Sequence, residues 1–262
     1  MTLRKSKKIY WDQNWANAGK GIKLTPKKNF FWKRLDKAFD LIFKTTSKKK
    51  IKLIEIGAGA SEWLPMICKK YKYEAFGLDY SKEGCRRARI NLNEAGIKGV
   101  IICCDMFNPP KTYKNKFDVV CSFGLVEHFS DTTKAIKACA NFLKPNGIIV
   151  TLIPNMTGLN GFFYKVFNRN VFDTHVPLNL DQLALAHENA YLEIYHKSYL
   201  LGLPGIIDKE RIESTVFKKI FRKTGYFFTQ CIWWWEEKGL GIPENSVTSP
   251  YMICAAKLKN RK

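Results

Sequence analysis

Acidic residues are scarce in this 262-residue sequence, and it contains no long apolar run. Lys and Arg number 44 against 23 Asp and Glu, which gives a formal net charge of +21. No apolar run approaches the roughly 18 to 20 residues needed to span a bilayer. The basic segment 1–15 lacks the apolar stretch of a secretory signal. We therefore expect a cytoplasmic protein without a membrane span.

The eight cysteines form no CxxC pair and no Cys/His cluster with the spacing of a zinc finger. Most of them fall within predicted helices or strands, where a reduced thiol packs as a small apolar group. The sequence therefore predicts buried thiols and no metal ligands.

The positive charge is concentrated at the two ends of the chain. Residues 1–50 hold 15 Lys or Arg against three Asp, and residues 257–262 add four basic side chains. Such a field attracts phosphates, so a nucleic-acid surface is one interpretation. Lys greatly outnumbers Arg, however, as it does in solvated segments that only aid solubility. We favour a small polar or anionic substrate over nucleic acid as the partner.

The pattern of strands and helices changes near residue 50. Residues 31–43 carry apolar side chains at helical spacing, and we expect residues 1–50 to form a basic cap segment with this helix. Residues 51–262 then form one domain, with helical or loop insertions at about 155–188 and 205–245. Strands are predicted at about 51–56, 74–79, 99–104, 117–122, 147–153, 191–200 and 250–258, with helices at about 61–70, 82–95 and 132–143. This alternation implies an α/β fold with a mostly parallel sheet covered on both faces.

The first predicted strand runs into a glycine turn at 57–61, which a helix follows. Glycines let the backbone turn sharply and approach a ligand closely. A dinucleotide-binding GxGxxG motif would require glycine at position 62, where Glu62 would repel a phosphate at the helix N-terminus. The turn therefore argues against a pyrophosphate cradle.

Acidic residues follow three successive strands. Asp79 ends the second strand, Asp105 follows the third, and Glu127 precedes His128 in the loop after the fourth. Open α/β sheets bind ligands at the carboxyl ends of their strands, so we expect these residues to face one site. A carboxylate at Asp79 can accept both hydroxyls of a ribose. Nicotinamide-dependent enzymes share this feature, so it does not by itself decide the ligand.

Together these segments, from about residue 50 to 155, resemble the class I S-adenosylmethionine (SAM)-dependent methyltransferases. The residues that carry the resemblance are Glu55, Gly57 and Gly59, Asp79, Asp105, the segment 118–128 and the turn 143–147 before strand five. The resemblance implies a Rossmann-like, seven-stranded sheet with an antiparallel last strand, an N-terminal helical cap and two insertions near the acceptor site. It also implies SAM as the cofactor and S-adenosylhomocysteine as the product.

In that family the E-x-G-x-G turn holds the methionine part of the cofactor, the acid after strand two binds the ribose, and the acid after strand three takes the adenine amino group. The cofactor-binding set expected on this basis is Trp15, Glu55, Gly57, Ala58, Gly59, Ser61, Asp79, Tyr80, Ser81, Asp105, Met106, Ser122, Phe123 and Gly124. Trp15 belongs to the segment 10–15, which resembles the N-terminal cap that many of these enzymes fold over the cofactor. An exposed amphipathic turn is the alternative interpretation of this segment.

Two histidines are candidate catalytic bases. His128 follows strand four, beside the expected position of the transferred methyl, and His175 lies in the insertion where this family commonly builds acceptor sites. A neutral imidazole can accept a hydroxyl proton near pH 7. Alternatively, His128 only shapes its loop. His187 and His196 lie in a predicted helix and strand, and we interpret them as structural.

We predict a methyltransferase that methylates an oxygen of a small polar or anionic acceptor, such as a sugar- or phosphate-containing metabolite, with cell-surface glycan biosynthesis as a setting. The first alternative is an RNA or protein methyltransferase that uses the basic N-terminal face. The second is a non-catalytic SAM-binding scaffold. The Asn-Pro-Pro sequence at 108–110 follows strand three, too early for the motif typical of base amino-group methylation. The sequence leaves open the acceptor's identity, the methylated atom, the need for a general base, the metal dependence and the oligomeric state.

Overall fold

The computed structural model describes residues 4–17, 30–43, 50–203, 231–232, 234–235, 238–239, 241 and 243–259. Most of the predicted insertion at 205–245, and parts of the basic segments at both ends, lie outside these ranges. Within the described ranges, no helix combines the length and the apolar character needed to cross a membrane.

The described residues form a seven-stranded sheet in the order β3-β2-β1-β4-β5-β7-β6. The first five strands pair in parallel, and β7 runs antiparallel to both of its neighbours. This confirms the predicted Rossmann-like, mostly parallel sheet with an antiparallel last strand. The strands are β1 (Lys52–Ile56), β2 (Glu74–Asp79), β3 (Gly99–Cys103), β4 (Phe117–Phe123), β5 (Leu143–Pro154), β6 (Leu192–Leu200) and β7 (Tyr251–Leu258).

Helices cover both faces of the sheet, and three of them fill the first predicted insertion. Their bounds are α1 (Lys8–Asn17), α2 (Phe30–Phe43), α3 (Trp63–Tyr71), α4 (Lys82–Glu94), α5 (Thr132–Ala140), α6 (Leu159–Phe167), α7 (Arg169–Asp173) and α8 (Leu180–Glu188). The helix predicted over 31–43 corresponds to α2. The buried side chains of α2 recur at helical spacing, and the last of them is Phe43.

The central strands are apolar on both sides because helices cover both faces. Along β1, Leu53 belongs to one buried cluster and Ile54 to the other, and Val119 and Val120 divide in the same way on β4. Successive side chains of a strand point to opposite faces, so the two clusters lie on the two sides of the sheet. This packing holds the carboxyl ends of β1 to β4 side by side.

The boundary between α5 and β5 differs from the prediction. The helix ends at Ala140 rather than at 143, and the strand begins at Leu143 rather than at 147. The predicted turn at 144–147 lies inside the strand, where the pairing with β4 shifts register and Asn146 has a φ of +62°. The turn residues therefore produce an irregularity within the strand and do not separate it from the helix.

Candidate active site

A cleft opens where the carboxyl ends of β1 to β4 meet. The N-terminal segment forms its opposite wall. The residues that line the cleft are 56–57 after β1, 78–80 after β2, 104–106 after β3, Leu125, His128 and Phe129 after β4, and Arg4, Ser6 and Trp11 from the N-terminal segment. The acids after β2 and β3 therefore face one site, as their positions in the sequence predict.

The glycine turn after β1 is held against β2 by its backbone. The N–H groups of Gly57 and Ala58 both donate to the carbonyl oxygen of Leu78, at 2.7 and 3.0 Å. Gly57 has a φ of +78°, a conformation that side chains with a Cβ rarely adopt, and a Cβ there would lie 3.1 Å from Leu125. Glycine at this position therefore keeps the cleft wall open.

Glu55 lies beneath this turn, outside the lining of the cleft. Its side chain is buried, and Oε2 accepts a hydrogen bond of 2.8 Å from Ser61 Oγ. Ser61 Oγ in turn accepts from the N–H of Trp63, at the start of α3. Burial raises the pKa of Glu55 to about 8, and the Ser61 hydrogen bond opposes that increase. Glu55 thus connects the glycine turn to the following helix.

Asp79 ties together the ends of β1 and β2. One carboxylate oxygen accepts from the N–H of Gly59 at 2.9 Å, and the other accepts from the N–H of Ser81 at 2.8 Å. Burial raises the pKa of Asp79, and these backbone hydrogen bonds oppose the shift. An ionised carboxylate accepts about four hydrogen bonds, so Asp79 retains acceptor capacity toward the cleft.

Asp105 is paired with a residue from the N-terminal segment. Arg4 Nη2 donates to Asp105 Oδ2 at 2.5 Å, and the guanidinium carbon of Arg4 lies 4.6 Å from the centre of the Tyr80 ring. Arg4 also forms an antiparallel bridge with Phe129. The acid after β3 therefore meets an arginine that sequence inspection did not assign to the site.

Helix α1 lies over the glycine turn. Ser81 Oγ donates to Asp12 at 2.5 Å, and Arg87 Nε donates to the carbonyl oxygen of Trp15 at 3.1 Å. The Trp15 ring stacks on Trp11 with 5.5 Å between ring centres. A Cβ on Gly59 would lie only 2.5 Å from Trp15. The segment 10–15 is therefore a helical cap that contacts the turn, and the exposed amphipathic turn does not describe it.

The two candidate bases lie together. His128 and His175 have ring centres 4.5 Å apart, and both side chains are buried. His128 Nδ1 lies 2.7 Å from the carbonyl oxygen of Thr174, and His175 Nδ1 lies 2.7 Å from that of Val171. A carbonyl oxygen only accepts hydrogen bonds, so both imidazoles carry hydrogen on Nδ1, and Nε2 is the second ring nitrogen of each.

Glu127 completes this cluster. Its Oε1 lies 4.0 Å from His128 Nε2, and its side chain is 1% exposed. Within the described part of the chain, neither carboxylate oxygen has a hydrogen-bond partner. Burial raises the pKa of Glu127 to about 8. Its position after β4 predicts that Glu127 faces the cleft with Asp79 and Asp105, but Glu127 is buried and lies outside the lining of the cleft.

Comparison with known proteins agrees with the geometry of the cleft. Residues 54–151 match the model of a family described as a methyltransferase domain. A ubiquinone biosynthesis O-methyltransferase from Proteus mirabilis (strain HI4320) is 28% identical over 119 residues, which cover 45% of this chain and 43% of the relative. The chain therefore aligns with less than half the length of this relative.

Two solved structures share the fold at low sequence identity. One is the [4+2]-cyclase SpnF, at 16% identity and a TM-score of 0.61, with coverage of 97% of this chain and 96% of the other. The second is geranyl diphosphate C-methyltransferase from Streptomyces coelicolor A3(2), in complex with Mg²⁺, geranyl diphosphate and S-adenosyl-L-homocysteine. It has 15% identity and a TM-score of 0.56, with coverage of 87% of this chain and 81% of the other.

Residues 54–151 therefore resemble a methyltransferase domain, and the sheet has the Rossmann-like fold of the class I SAM-dependent methyltransferases. The cofactor of this family is SAM, and the residues of the cleft fit it. Gly57 leaves space beside the turn, Asp79 offers carboxylate oxygens after β2, and Asp105 offers another carboxylate after β3.

The cleft is lined by six of the residues predicted for the site, and the others lie outside its lining. The six are Gly57, Asp79, Tyr80, Asp105, Met106 and His128. Glu55 and Ser61 lie beneath the turn, Ala58 is buried behind it, and Trp15 and Gly59 meet at the cap. Ser81 caps the N-terminus of α4, Ser122 is buried, and Phe123 packs against Trp63. A Cβ on Gly124 would lie 3.8 Å from Glu127, and His175 lies beside His128.

Several residues of this site were missed from the sequence. Arg4, Ser6, Trp11, Leu125 and Phe129 line the cleft without belonging to a recognisable motif. The dense aromatic pattern of the segment 10–15 was the one available signal, and it pointed to Trp15. The remaining residues needed the folded positions of distant segments.

Proposed function

We propose that this methyltransferase transfers the methyl group of SAM to an oxygen of a small polar or anionic acceptor. The observation that supports this proposal is the buried cluster of Glu127, His128 and His175. One member of the cluster, His128, lines the cleft. A group that accepts the proton of a hydroxyl assists methylation of that oxygen and has no function in a passive SAM-binding scaffold. The O-methyltransferase name of the aligned relative supports oxygen as the acceptor atom.

When bound, SAM supplies a methyl group on a positively charged sulfur, and it becomes S-adenosylhomocysteine once that carbon has bonded to the acceptor oxygen and released the sulfur. His128 Nε2 carries the lone pair that receives the hydroxyl proton, because Nδ1 is held by the Thr174 carbonyl. Trp11 covers this end of the cleft, with its ring centre 5.0 Å from that of His128. Exclusion of water and alignment of the acceptor provide the remaining catalysis.

The chemical class of the acceptor is proposed from the positive charge beside the cluster. Lys5 Nζ donates to the carbonyl oxygen of His175 at 2.7 Å, so an exposed ammonium group lies beside the cluster. A cation in this position favours an acceptor that carries a phosphate or carboxylate near its hydroxyl. A sugar- or phosphate-containing metabolite fits this description, and cell-surface glycan biosynthesis remains the proposed setting.

The test measures formation of S-adenosylhomocysteine from SAM with sugar phosphates, nucleotide sugars and phenolic acids as acceptors. We expect turnover with a hydroxylated anionic acceptor. His128→Ala should lower kcat by about 10²- to 10⁴-fold while the affinity for SAM stays nearly unchanged. Turnover with an RNA transcript or a protein instead would favour the alternative that uses the basic N-terminal face. Near-normal turnover in both His128→Ala and His175→Ala would contradict histidine participation and indicate an acceptor that is already an anion.

A further inference from the structure

We propose that Glu127, His128 and His175 form a binding site for a divalent metal ion in the wall of the cleft. Each residue places one ligand atom within 4.8 Å of the others, and all three side chains are buried. Two imidazoles and one carboxylate are a ligand set that binds Mn²⁺, Fe²⁺ or Zn²⁺. The sequence predicts no metal ligands, because its cysteines and histidines lack zinc-finger spacing and His175 lies far along the chain from Glu127 and His128.

Both imidazoles are oriented as metal ligands usually are. A histidine that binds a metal through one ring nitrogen commonly donates the other N–H to a backbone carbonyl or a carboxylate. His128 Nδ1 meets the Thr174 carbonyl and His175 Nδ1 meets the Val171 carbonyl, each at 2.7 Å. The two accepting carbonyls come from a single turn at α7, so one structural element sets the orientation of both rings.

Glu127 is the second, independent indication of a ligand. In the part of the chain that the structure describes, its two carboxylate oxygens are buried without a hydrogen-bond partner. Burying a polar group in this way is costly unless something compensates for the lost water. A metal ion bound between Glu127 and the two histidines would supply that compensation.

Backbone hydrogen bonds hold two of the three ligand residues in place. The N–H of Val176 donates to the carbonyl oxygen of Glu127 at 2.7 Å, and the N–H of Lys5 donates to that of His128 at 2.9 Å. Metal bonds to nitrogen and oxygen are about 2.0 to 2.2 Å long, which places neighbouring ligand atoms roughly 3 Å apart. The side chains therefore need to approach one another by only about 1 to 2 Å when the metal binds.

Three protein ligands leave further coordination positions open. Because His128 lines the cleft, an open position on its metal would face the cleft. The role of the metal rests on the proposed function, although its binding does not. An acceptor hydroxyl in that position would become more acidic and lose its proton to water, so His128 would serve as a ligand, in place of its role as the base in a metal-free transfer. The oxygen would then bond to the methyl carbon while the carbon–sulfur bond breaks and its electron pair returns to sulfur.

The experiment titrates MnCl₂, and separately ZnCl₂, into the full-length protein after treatment with EDTA and buffer exchange, with calorimetric detection. We expect saturable binding of one ion per chain. Glu127→Gln and His175→Gln should each weaken this binding by at least about tenfold, since each removes a ligand. His187→Gln is the matched control, because His187 is also a buried histidine whose Nδ1 meets a backbone carbonyl, that of Leu183 at 2.8 Å.

A second measurement on the unmodified protein does not depend on the folding of any variant. The sequence contains four histidines, so their imidazole proton signals can be assigned by NMR. Paramagnetic Mn²⁺ should broaden the signals of His128 and His175 at ratios that leave those of His187 and His196 sharp. Equal broadening of all four, or no saturable binding of either metal, would overturn the metal site.

Titration of S-adenosylhomocysteine into the same samples separates the two proposals. Cofactor binding without metal binding would refute the metal site and leave the proposed function standing. Metal binding without cofactor binding would refute the proposed function alone. Metal binding that persists at full affinity in both Glu127→Gln and His175→Gln would place the ion elsewhere and overturn the proposal.

Discussion

At the scale of single residues, Asp79 combines a structural and a binding position. Its two carboxylate oxygens receive the N–H groups of Gly59 and Ser81, which come from the turns after β1 and β2. The same carboxylate faces the cleft where a ribose is expected. Its replacement should therefore affect the cofactor more than the fold as a whole.

We expect Asp79→Ala to weaken SAM binding by roughly 1 to 3 kcal/mol, because the ribose hydroxyls lose their acceptor. Calorimetric titration of SAM measures the change, and thermal denaturation shows whether the variant is folded. Asp181→Ala is the control, since the Asp181 side chain is 87% exposed and pairs with Lys197. Unchanged SAM binding in Asp79→Ala would contradict the ribose assignment, and binding of NAD in place of SAM would contradict the family.

His187 makes the stability of the protein depend on pH. It is fully buried in α8, with Nε2 3.0 Å from Thr151 Oγ1, and burial lowers its pKa from 6.5 to about 4. Between these values the unfolded chain binds the proton and the folded chain does not. The contribution of His187 to stability is therefore complete above pH 6.5 and is lost as the pH falls toward 4, by about 3 kcal/mol in total.

Chemical denaturation of the unmodified protein and of His187→Gln between pH 4 and pH 7 tests this prediction. The two proteins must be compared because Glu55 changes the stability with pH in the opposite direction to His187. Its pKa is raised to about 8, so its protonation favours the folded state as the pH falls. We expect the difference in unfolding free energy between the two proteins to change with pH in this range. A difference that stays constant would show that His187 does not titrate as proposed.

At the scale of elements, helix α1 and the glycine turn depend on each other. Trp15 occupies the space into which a Cβ on Gly59 would extend, and α4 holds α1 through Ser81 and Arg87. The cap is therefore part of the same local structure as the turn. A substitution at Gly59 should therefore displace the cap and also weaken binding of the cofactor.

Gly59→Ala should weaken SAM binding by at least tenfold, because the new Cβ would lie 2.5 Å from Trp15 and displace α1. Gly96→Ala is the matched control. Gly96 has a φ of +69°, so alanine is strained there, but nothing lies within 4 Å of the added Cβ. We expect Gly96→Ala to cost about 1 to 2 kcal/mol of stability and to leave SAM binding intact. Equal effects of the two variants on SAM binding would contradict the contact between cap and turn.

At the scale of the whole molecule, part of the N-terminal positive charge is used internally. Arg4 pairs with Asp105, Lys5 donates to the carbonyl of His175, and Lys8 pairs with Asp12. Arg4 and Lys8 each pair with a carboxylate, and Lys5 lies beside the cleft, so these three residues do not form an extended surface for a nucleic acid. The formal charge of +21 therefore overstates what this end of the protein offers to a nucleic acid.

We expect binding to tRNA fragments to be weak and to fall steeply as salt rises, because it rests on charge alone. Fluorescence anisotropy at 50 mM and 200 mM salt, with fragments of different sequence, measures both properties. A tight complex at 200 mM salt that distinguishes one sequence from another would contradict this prediction. It would also favour the RNA methyltransferase over the small-molecule enzyme.

The fold alone does not decide the reaction. A [4+2]-cyclase and a C-methyltransferase share this architecture with the chain at 16% and 15% identity. The reaction must therefore be inferred from the site, where side chains and their hydrogen bonds differ among such proteins. In this chain the cluster of Glu127, His128 and His175 carries that information.

The sequence by itself determined the order of strands and helices, the glycine turn and the acids after β2 and β3. These features are local, since a strand pattern, a turn and the residue that ends a strand are all set by neighbours along the chain. The parallel arrangement then brings Gly57, Asp79 and Asp105 to one edge of the sheet. The sequence pattern misplaced the start of β5, because the turn residues at 144–147 are accommodated inside the strand.

Only the tertiary structure decided that Arg4 pairs with Asp105, that Trp15 covers Gly59 and that His175 meets Glu127 and His128. Each of these contacts joins segments that are far apart in the chain. No periodicity or local motif specifies where the N-terminal helix and the first insertion lie on the sheet. Their positions follow from the burial of apolar faces and the satisfaction of backbone hydrogen bonds, which depend on the complete fold.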